Sequence, residues 1–267
     1  MPKAGHALLV IGPSGTGKSS LARDALLDEG SGVIALAPGV DEVASYSEFA
    51  DEEGYDTRSF MDPTKMARWL EERYGENFEY YKKNGKPLNK ILVTDTLSGV
   101  DQIIRGAVCK KMNIDEPPKA RSSLGADFYL GIQYRWERIL APCRALRGLG
   151  LHWIALSHSK TRVADEETMQ GSGREEVELV QPLITGATRN SLPGAFDLVL
   201  HSSIELVSGG AVYALRWQSD PTKVTKSRFG ELADGVMIKN YWRNTIDLVD
   251  KAIAKRKVEF TERRAEK

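Results

Sequence analysis

Cysteine and histidine are scarce in this chain of 267 residues, which holds two of the first and four of the second. Cys109 and Cys143 lie far apart, without C-x-x-C spacing and without a histidine cluster. That argues against a structural zinc site and suits a reducing compartment. No apolar run comes near the ~18 residues that a membrane helix needs, so no membrane partner is expected. Met1-Pro2-Lys3 leads straight into the first apolar segment, which predicts no signal peptide and a cytoplasmic protein. An excess of either charge is missing too: 37 acidic and 37 basic residues balance to zero. This excludes a globally basic nucleic-acid coat while leaving room for a local basic patch. There is no internal repeat, no low-complexity segment and no N-K-x-D guanine signature. What remains is the composition of a soluble globule, 41% hydrophobic and 28% charged, with enough chain for a sizeable core.

Against that plain background one stretch stands out. Gly12-Pro13-Ser14-Gly15-Thr16-Gly17-Lys18-Ser19-Ser20 satisfies G-x-x-x-x-G-K-[ST], the loop whose backbone N–H groups cradle phosphates. Ala7 to Ile11 precedes it as an apolar strand, and Leu21 to Leu27 follows at helical spacing. The glycines let the loop curl, and the helix N-terminus adds positive potential. Lys18 is expected to reach the β- and γ-phosphates, and the Ser19 hydroxyl to ligate Mg2+. A nucleoside triphosphate site follows.

Further along, Val33 to Ala37 reads as a second buried strand, followed by an acidic, irregular segment from Asp41 to Gly54. Asp62-Pro63 signals a helix start, with Met66, Trp69, Leu70 and Tyr74 on one face. Lys82 to Pro87 reads as a polar hairpin-like patch before the strand Ile91 to Val93, which Thr94-Asp95 closes. A helix is expected over 98–112, and a long amphipathic one through Phe128, Ile132, Trp136, Ile139, Cys143 and Leu146, with Pro142 kinking it or marking its last stretch. Leu151 to Leu156 is a fourth buried strand, and 161–173 reads as a mobile loop. Three short strands follow, 198–200, 203–207 and 212–217, with Gly209-Gly210 as a hairpin turn. A last helical face, Trp242, Ile246, Val249 and Ile253, dissolves into Lys255-Arg256-Lys257 and a charged tail. Alternating strands and helices imply an α/β fold: a mostly parallel central sheet flanked by helices, with a late antiparallel hairpin and a C-terminal helix.

Asp95, ending an apolar strand, is the natural carboxylate for a Mg2+ held by Ser19; it could equally cap the helix that follows. Thr96, not glutamate, comes next. The order of P-loop, strand-ending aspartate without a following glutamate, and a strand ending Ala155-Leu156-Ser157-His158 resembles the RecA-like ATPase core. In that family a polar residue at the position of His158 senses the γ-phosphate; a histidine capping a strand is the plainer reading. Lys226-Ser227-Arg228-Phe229-Gly230 resembles the late strand of DnaB-type ATPases, whose lysine and arginine reach the neighbouring subunit's nucleotide. Alternation puts Lys226 and Arg228 on one face, although a solvated strand edge would look the same.

More narrowly, residues 5–232 are similar to the compact, phage-encoded RecA-like ATPases of recombination, the AAA domain proteins associated with single-strand annealing. Pro182 to Gly186 and Leu192 to His201 belong to that likeness. It implies a RecA-like ATPase core over 1–235, with 236–267 as a helical appendage and charged tail. It also implies ATP and Mg2+ as cofactors, single-stranded DNA as substrate, a homo-oligomer (ring or filament), and an annealing or single-strand-binding protein as partner. Family members place a water-positioning glutamate at or just past the second strand. Here that strand ends Ala37-Pro38-Gly39, and Glu42 serves only if the strand runs further; otherwise Asp41 and Glu42 are surface acids. Expected DNA contacts are Lys110, Lys111, Lys119 and Arg121 after Asp95, and Lys160, Arg162 and Arg174 after His158. Asp165, Glu166, Glu167, Glu175 and Glu176 oppose the second set. A small-molecule or nucleotide kinase, or a nucleotide-regulated binding module with little turnover, are the other classes that fit the P-loop.

Overall fold

Apolar residues dominate both faces of the strands nearest the P-loop, so those strands must lie inside a sheet covered on both sides. The computed structural model describes residues 4–37, 40–119, 122–163, 178–186, 188–208, 210–217, 226–227, 238–239 and 242–265. In chain order the elements are β1 (Ala7–Gly12), α1 (Lys18–Glu29), β2 (Gly32–Leu36), α2 (Val40–Ser45), β3 (Tyr55–Ser59), α3 (Pro63–Asn84), β4 (Ile91–Asp95), α4 (Leu97–Met112), α5 (Ser123–Gly148) and β5 (His152–Val163). There follow β6 (Glu178–Pro182), α6 (Thr188–Ser191), β7 (Leu198–Val207), β8 (Gly210–Arg216), β9 (Lys226–Ser227), β10 (Ile238–Lys239) and α7 (Trp242–Ala265). The parallel strands run in the order β3-β2-β4-β5-β1-β7. Antiparallel β8 and β10 extend the β7 edge.

Alternation along each strand divides the core into two layers. Leu8 and Val10 of β1, Ile34 of β2, Val93 of β4 and Ile154 of β5 pack on Leu21, Ala25 and Leu26 of α1, together with Trp242 and Val249 of α7. Ala7, Leu9, Ile11, Val33, Leu92 and Trp153 point the other way, onto α3, α4 and α5. Each such side chain contributes ~1.5–3 kcal/mol of burial. With both faces closed, polar side chains can collect only where the strands end. β4 sits between β5 and β2, and β5 sits between β4 and β1. Asp95, His158 and the P-loop therefore emerge along one edge.

Several local expectations are corrected. Lys82 to Asn84 are the last residues of α3, which the Asp62 side chain caps at its start and Gly85 closes in the left-handed region at φ 71°. The acidic segment after β2 holds α2, a short 3-10 turn (Ser47–Phe49), and then β3, an edge strand. Its sequence, YDTRS, has no buried residue to betray it. α7 continues past Lys255 to Ala265, while Pro142 does lie in the last stretch of α5, which ends at Gly148.

Two strands also outrun their predicted ends. β5 pairs with β1 as far as His158, then leaves the parallel sheet and pairs with β6 through Val163, so Thr161 to Val163 are strand and not loop. β7 is one continuous strand: it pairs with β1 over 198–201 and with β8 over 201–207. Two antiparallel arms thus project past the end of β1, one on each side of the P-loop.

Trp242 is buried and meets the His152 ring edge-on at 5.4 Å. Trp242→Ala empties a large site between α7 and the sheet. The expected loss is about 3 kcal/mol, read as a lowered urea midpoint with an unchanged slope.

Candidate functional site

The edge built by these strands holds a cleft of about 370 Å³. Its floor is the P-loop. Gly15 and Gly17 adopt φ of 76° and 79°, the left-handed conformation that a glycine takes without strain, and Gly17 hands the chain into α1. A Cβ on Gly12 would collide with Ser202. The loop is braced from both arms. Thr16 Oγ1 lies 2.7 Å from Ser202 Oγ of β7 and donates to the Pro13 carbonyl at 2.8 Å. Ser14 Oγ lies 3.4 Å from His158 Nδ1 of β5.

Lys18 is 6% exposed, and its ammonium donates to the Gly12 carbonyl at 3.0 Å and the Pro13 carbonyl at 2.6 Å. The charge is thereby held inside the loop's concavity. Ser19, in the first turn of α1, donates its hydroxyl to Asp95 Oδ2 at 2.9 Å. Asp95 is 1% exposed at the end of β4, and the peptide bond to Thr96 is cis. The helix cap after β4 is supplied by Thr96, whose side chain accepts from the Gly99 N–H at 3.0 Å, rather than by Asp95. The carboxylate points instead to Ser19.

Tyr46 completes this cluster: its hydroxyl donates to the same Asp95 Oδ2 at 2.9 Å. Burial, and then the Asp95 charge beside it, hold the Tyr46 phenol well above its ordinary value, so it stays a proton donor. His158, half-buried, receives its orientation from the backbone. Its N–H donates to Ser98 Oγ at 2.9 Å, and that hydroxyl also lies 3.1 Å from Ser157 Oγ.

A hydroxyl and a carboxylate side by side are hard oxygen donors, the set that suits Mg2+ alongside phosphate oxygens. Among the described residues no group of three or more His, Cys, Asp or Glu could hold a metal by itself. The donor set therefore fits a cation that arrives with a nucleotide.

For several expected residues the described structure gives the element alone, or nothing. β2 ends at Leu36 without the extension that would carry Glu42 inward. Glu42 lies on α2, and its side chain is outside what the structure describes. Lys226 lies on β9, opposite Val199 at the start of β7; its side chain and the whole of Arg228 fall outside the described residues. Lys110 and Lys111 occupy the last turn of α4, about 20 Å along the helix from Asp95, where their charges complement the negative end of the helix dipole. Lys119 and Lys160 are exposed, whereas Arg121 and Arg174 lie outside the described residues, as do Asp165, Glu166, Glu167, Glu175 and Glu176.

Other residues of the site gave no sequence signal. Tyr46, Ser202 and Tyr213 belong to no motif, and only long-range packing brings them to the loop. Tyr213 lines the cleft from the β8 arm, 46% exposed and paired across the strands with Ile204. A partly exposed aromatic ring beside a phosphate loop offers a face to a base.

A family model described as an AAA domain matches residues 4–229. Among solved structures, the chain is similar to a KaiC-like protein from the hyperthermophilic archaeon Pyrococcus horikoshii OT3, at 12% identity over 79% of this chain and 77% of that one, with a TM-score of 0.40. None of the curated proteins matches.

Replacing Lys18 with methionine keeps the stem and removes the charge. Affinity for a fluorescent ATP analogue is expected to fall at least ~10-fold, the scale of one charge-assisted hydrogen bond. A thermal melt close to that of the parent chain checks that the loss is local.

Proposed function

The chain belongs to this AAA domain family of P-loop nucleoside triphosphatases, and on that premise we propose that it hydrolyses ATP with Mg2+ and acts on single-stranded DNA in recombination or repair. The observation that carries the reading is the meeting of Lys18, Ser19 and Asp95 in one cleft at the end of the parallel strands. Mg2+ bound there would neutralise charge on the β- and γ-phosphates. The residues of the chain bind and orient. The P-loop amides cradle the phosphates, Lys18 turns its ammonium from the loop carbonyls to phosphate oxygens, and Ser19 and Asp95 hold the cation. His158, between the P-loop and Asp95, stands where it can donate to a terminal phosphate.

The site draws on a second subunit in this proposal. Lys226 lies opposite Val199, level with Leu9 and three residues short of Gly12 in the β1 register. At the usual strand rise and spacing this is about 14 Å from the loop, beyond the reach of a single lysine side chain. A cation so placed serves another subunit's phosphate better than its own. Lys226 and Arg228 would then reach across the interface of a homo-oligomer, ring or filament, and make hydrolysis depend on assembly. An annealing or single-strand-binding protein is the further partner that this reading names.

DNA finds support in a second, polar cleft of about 290 Å³. It adjoins the first through Thr96 and His158 and presents Arg105, Lys160 and Arg189. Cations beside a phosphate sensor suit a polyanion whose binding alters turnover. No helix among the described residues is long and apolar enough to cross a membrane. The same cleft would seat the acceptor of a kinase, which makes phosphate transfer to a small molecule, instead of water, the discriminating result.

Single-stranded DNA is expected to raise ATP turnover severalfold. Arg228→Ala should abolish turnover while the nucleotide still binds. Equal turnover with and without DNA, at concentrations where the protein is monomeric by mass photometry, would contradict the proposal.

A further inference from the structure

Asp95 has a second hydroxyl neighbour besides Ser19. Both the Ser19 and Tyr46 hydroxyls donate a hydrogen bond to one carboxylate oxygen, Oδ2, each at 2.9 Å. Tyr46 is fully buried, in a layer of core shared with Phe49. It stands just before the 3-10 turn Ser47–Phe49, and the N–H of Phe49 donates back to the Tyr46 carbonyl at 3.1 Å. Within that turn, Glu48 receives two hydrogen bonds from Arg23, Nε to Oε1 at 2.8 Å and Nη2 to Oε2 at 2.9 Å. Arg23 is on α1, one helical turn after Ser19.

These contacts close a ring. It runs from Ser19 to Asp95, from Asp95 to Tyr46, along the chain to Glu48, across to Arg23, and back along α1 to Ser19. Three segments with no sequence proximity are thus held at fixed spacing: the P-loop helix, the turn after α2 and the tip of β4. Two hydroxyl donors on one oxygen restrict the side-chain torsions of Asp95 and the plane of its carboxylate.

We propose that Tyr46 is the positioning residue for Asp95 in the Mg2+ site, with the Arg23–Glu48 pair anchoring the turn that carries it. The proposal rests on the reading of Ser19 and Asp95 as that site. Ser19 is itself a ligand in that reading, so its hold on Asp95 must change when the cation binds. Tyr46 is not a ligand and keeps the carboxylate oriented in either state. Partners of metal-binding carboxylates act in this way, and their removal weakens metal affinity by about tenfold or more.

The test uses the full chain and a fluorescent ATP analogue, titrated with Mg2+ and, separately, in EDTA. Tyr46→Phe keeps the ring in its pocket and removes only the donor. Its Mg2+ midpoint is expected to rise about tenfold, with metal-free nucleotide affinity within about twofold of the parent chain. Glu48→Gln, at an exposed position, should raise the midpoint about twofold through the same ring; it carries the test should Tyr46→Phe fail to fold. A Tyr46→Phe midpoint equal to the parent's, an equal loss of affinity in EDTA, or, where only Glu48→Gln can be measured, an unmoved midpoint overturns the proposal. Ser19→Ala separates the two levels. If the parent chain and Ser19→Ala both ignore Mg2+, the metal site is wrong; if the parent and Ser19→Ala differ while Tyr46→Phe follows the parent, only the role of Tyr46 is wrong.

Discussion

A carboxylate that is 1% exposed at the end of a strand must be given hydrogen-bond donors, because an uncompensated buried charge costs several kcal/mol. Asp95 meets that demand with the Ser19 and Tyr46 hydroxyls. Much of the surrounding architecture follows from it. α1 must start where Ser19 can reach β4, and the chain after β2 must fold back under the cleft to bring Tyr46 inward. The exposed Arg23–Glu48 pair ties that fold-back to α1. By itself such a pair contributes little stability; its effect here is geometric.

The two-faced burial of the sheet supplies the complementary constraint. Since apolar side chains fill both surfaces of β1, β2, β4 and β5, polar groups collect at the carboxyl edge, where open α/β sheets bind ligands. The two arms then shape that edge. β5 runs level with the end of β1 and brings His158 to Ser14, and β7, continuing beyond its pairing with β1, brings Ser202 to Thr16. The loop that must wrap a phosphate is thus supported from both flanks. Its glycines are needed for conformation at Gly15 and Gly17 and for clearance at Gly12.

Much of this was legible in the residues. β1, α1, β2, β4 and the start of β5 are strongly patterned, and Asp95 was readable as the end of an apolar run. The misreadings share one physical origin. β3 is an edge strand without buried residues, so it carries no hydrophobic period. The far halves of β5 and β7 leave the covered sheet and lose their apolar signature, which made one strand look like a loop and another like two. Lys82 to Asn84 look like a polar patch because the last turn of a helix is solvated.

The sequence by itself determined the phosphate loop, its strand and helix, and the parallel α/β class, because these depend on contiguous residues and short periods. Tertiary structure alone decided what surrounds the loop. Tyr46 meets Asp95 across 49 positions, and Thr16 meets Ser202 across 186. Contacts of that kind leave no local trace, since a serine or tyrosine in an unremarkable segment reads the same whether it faces water or a buried carboxylate. Only the closing of the sheet, strand beside strand, brings them to one place.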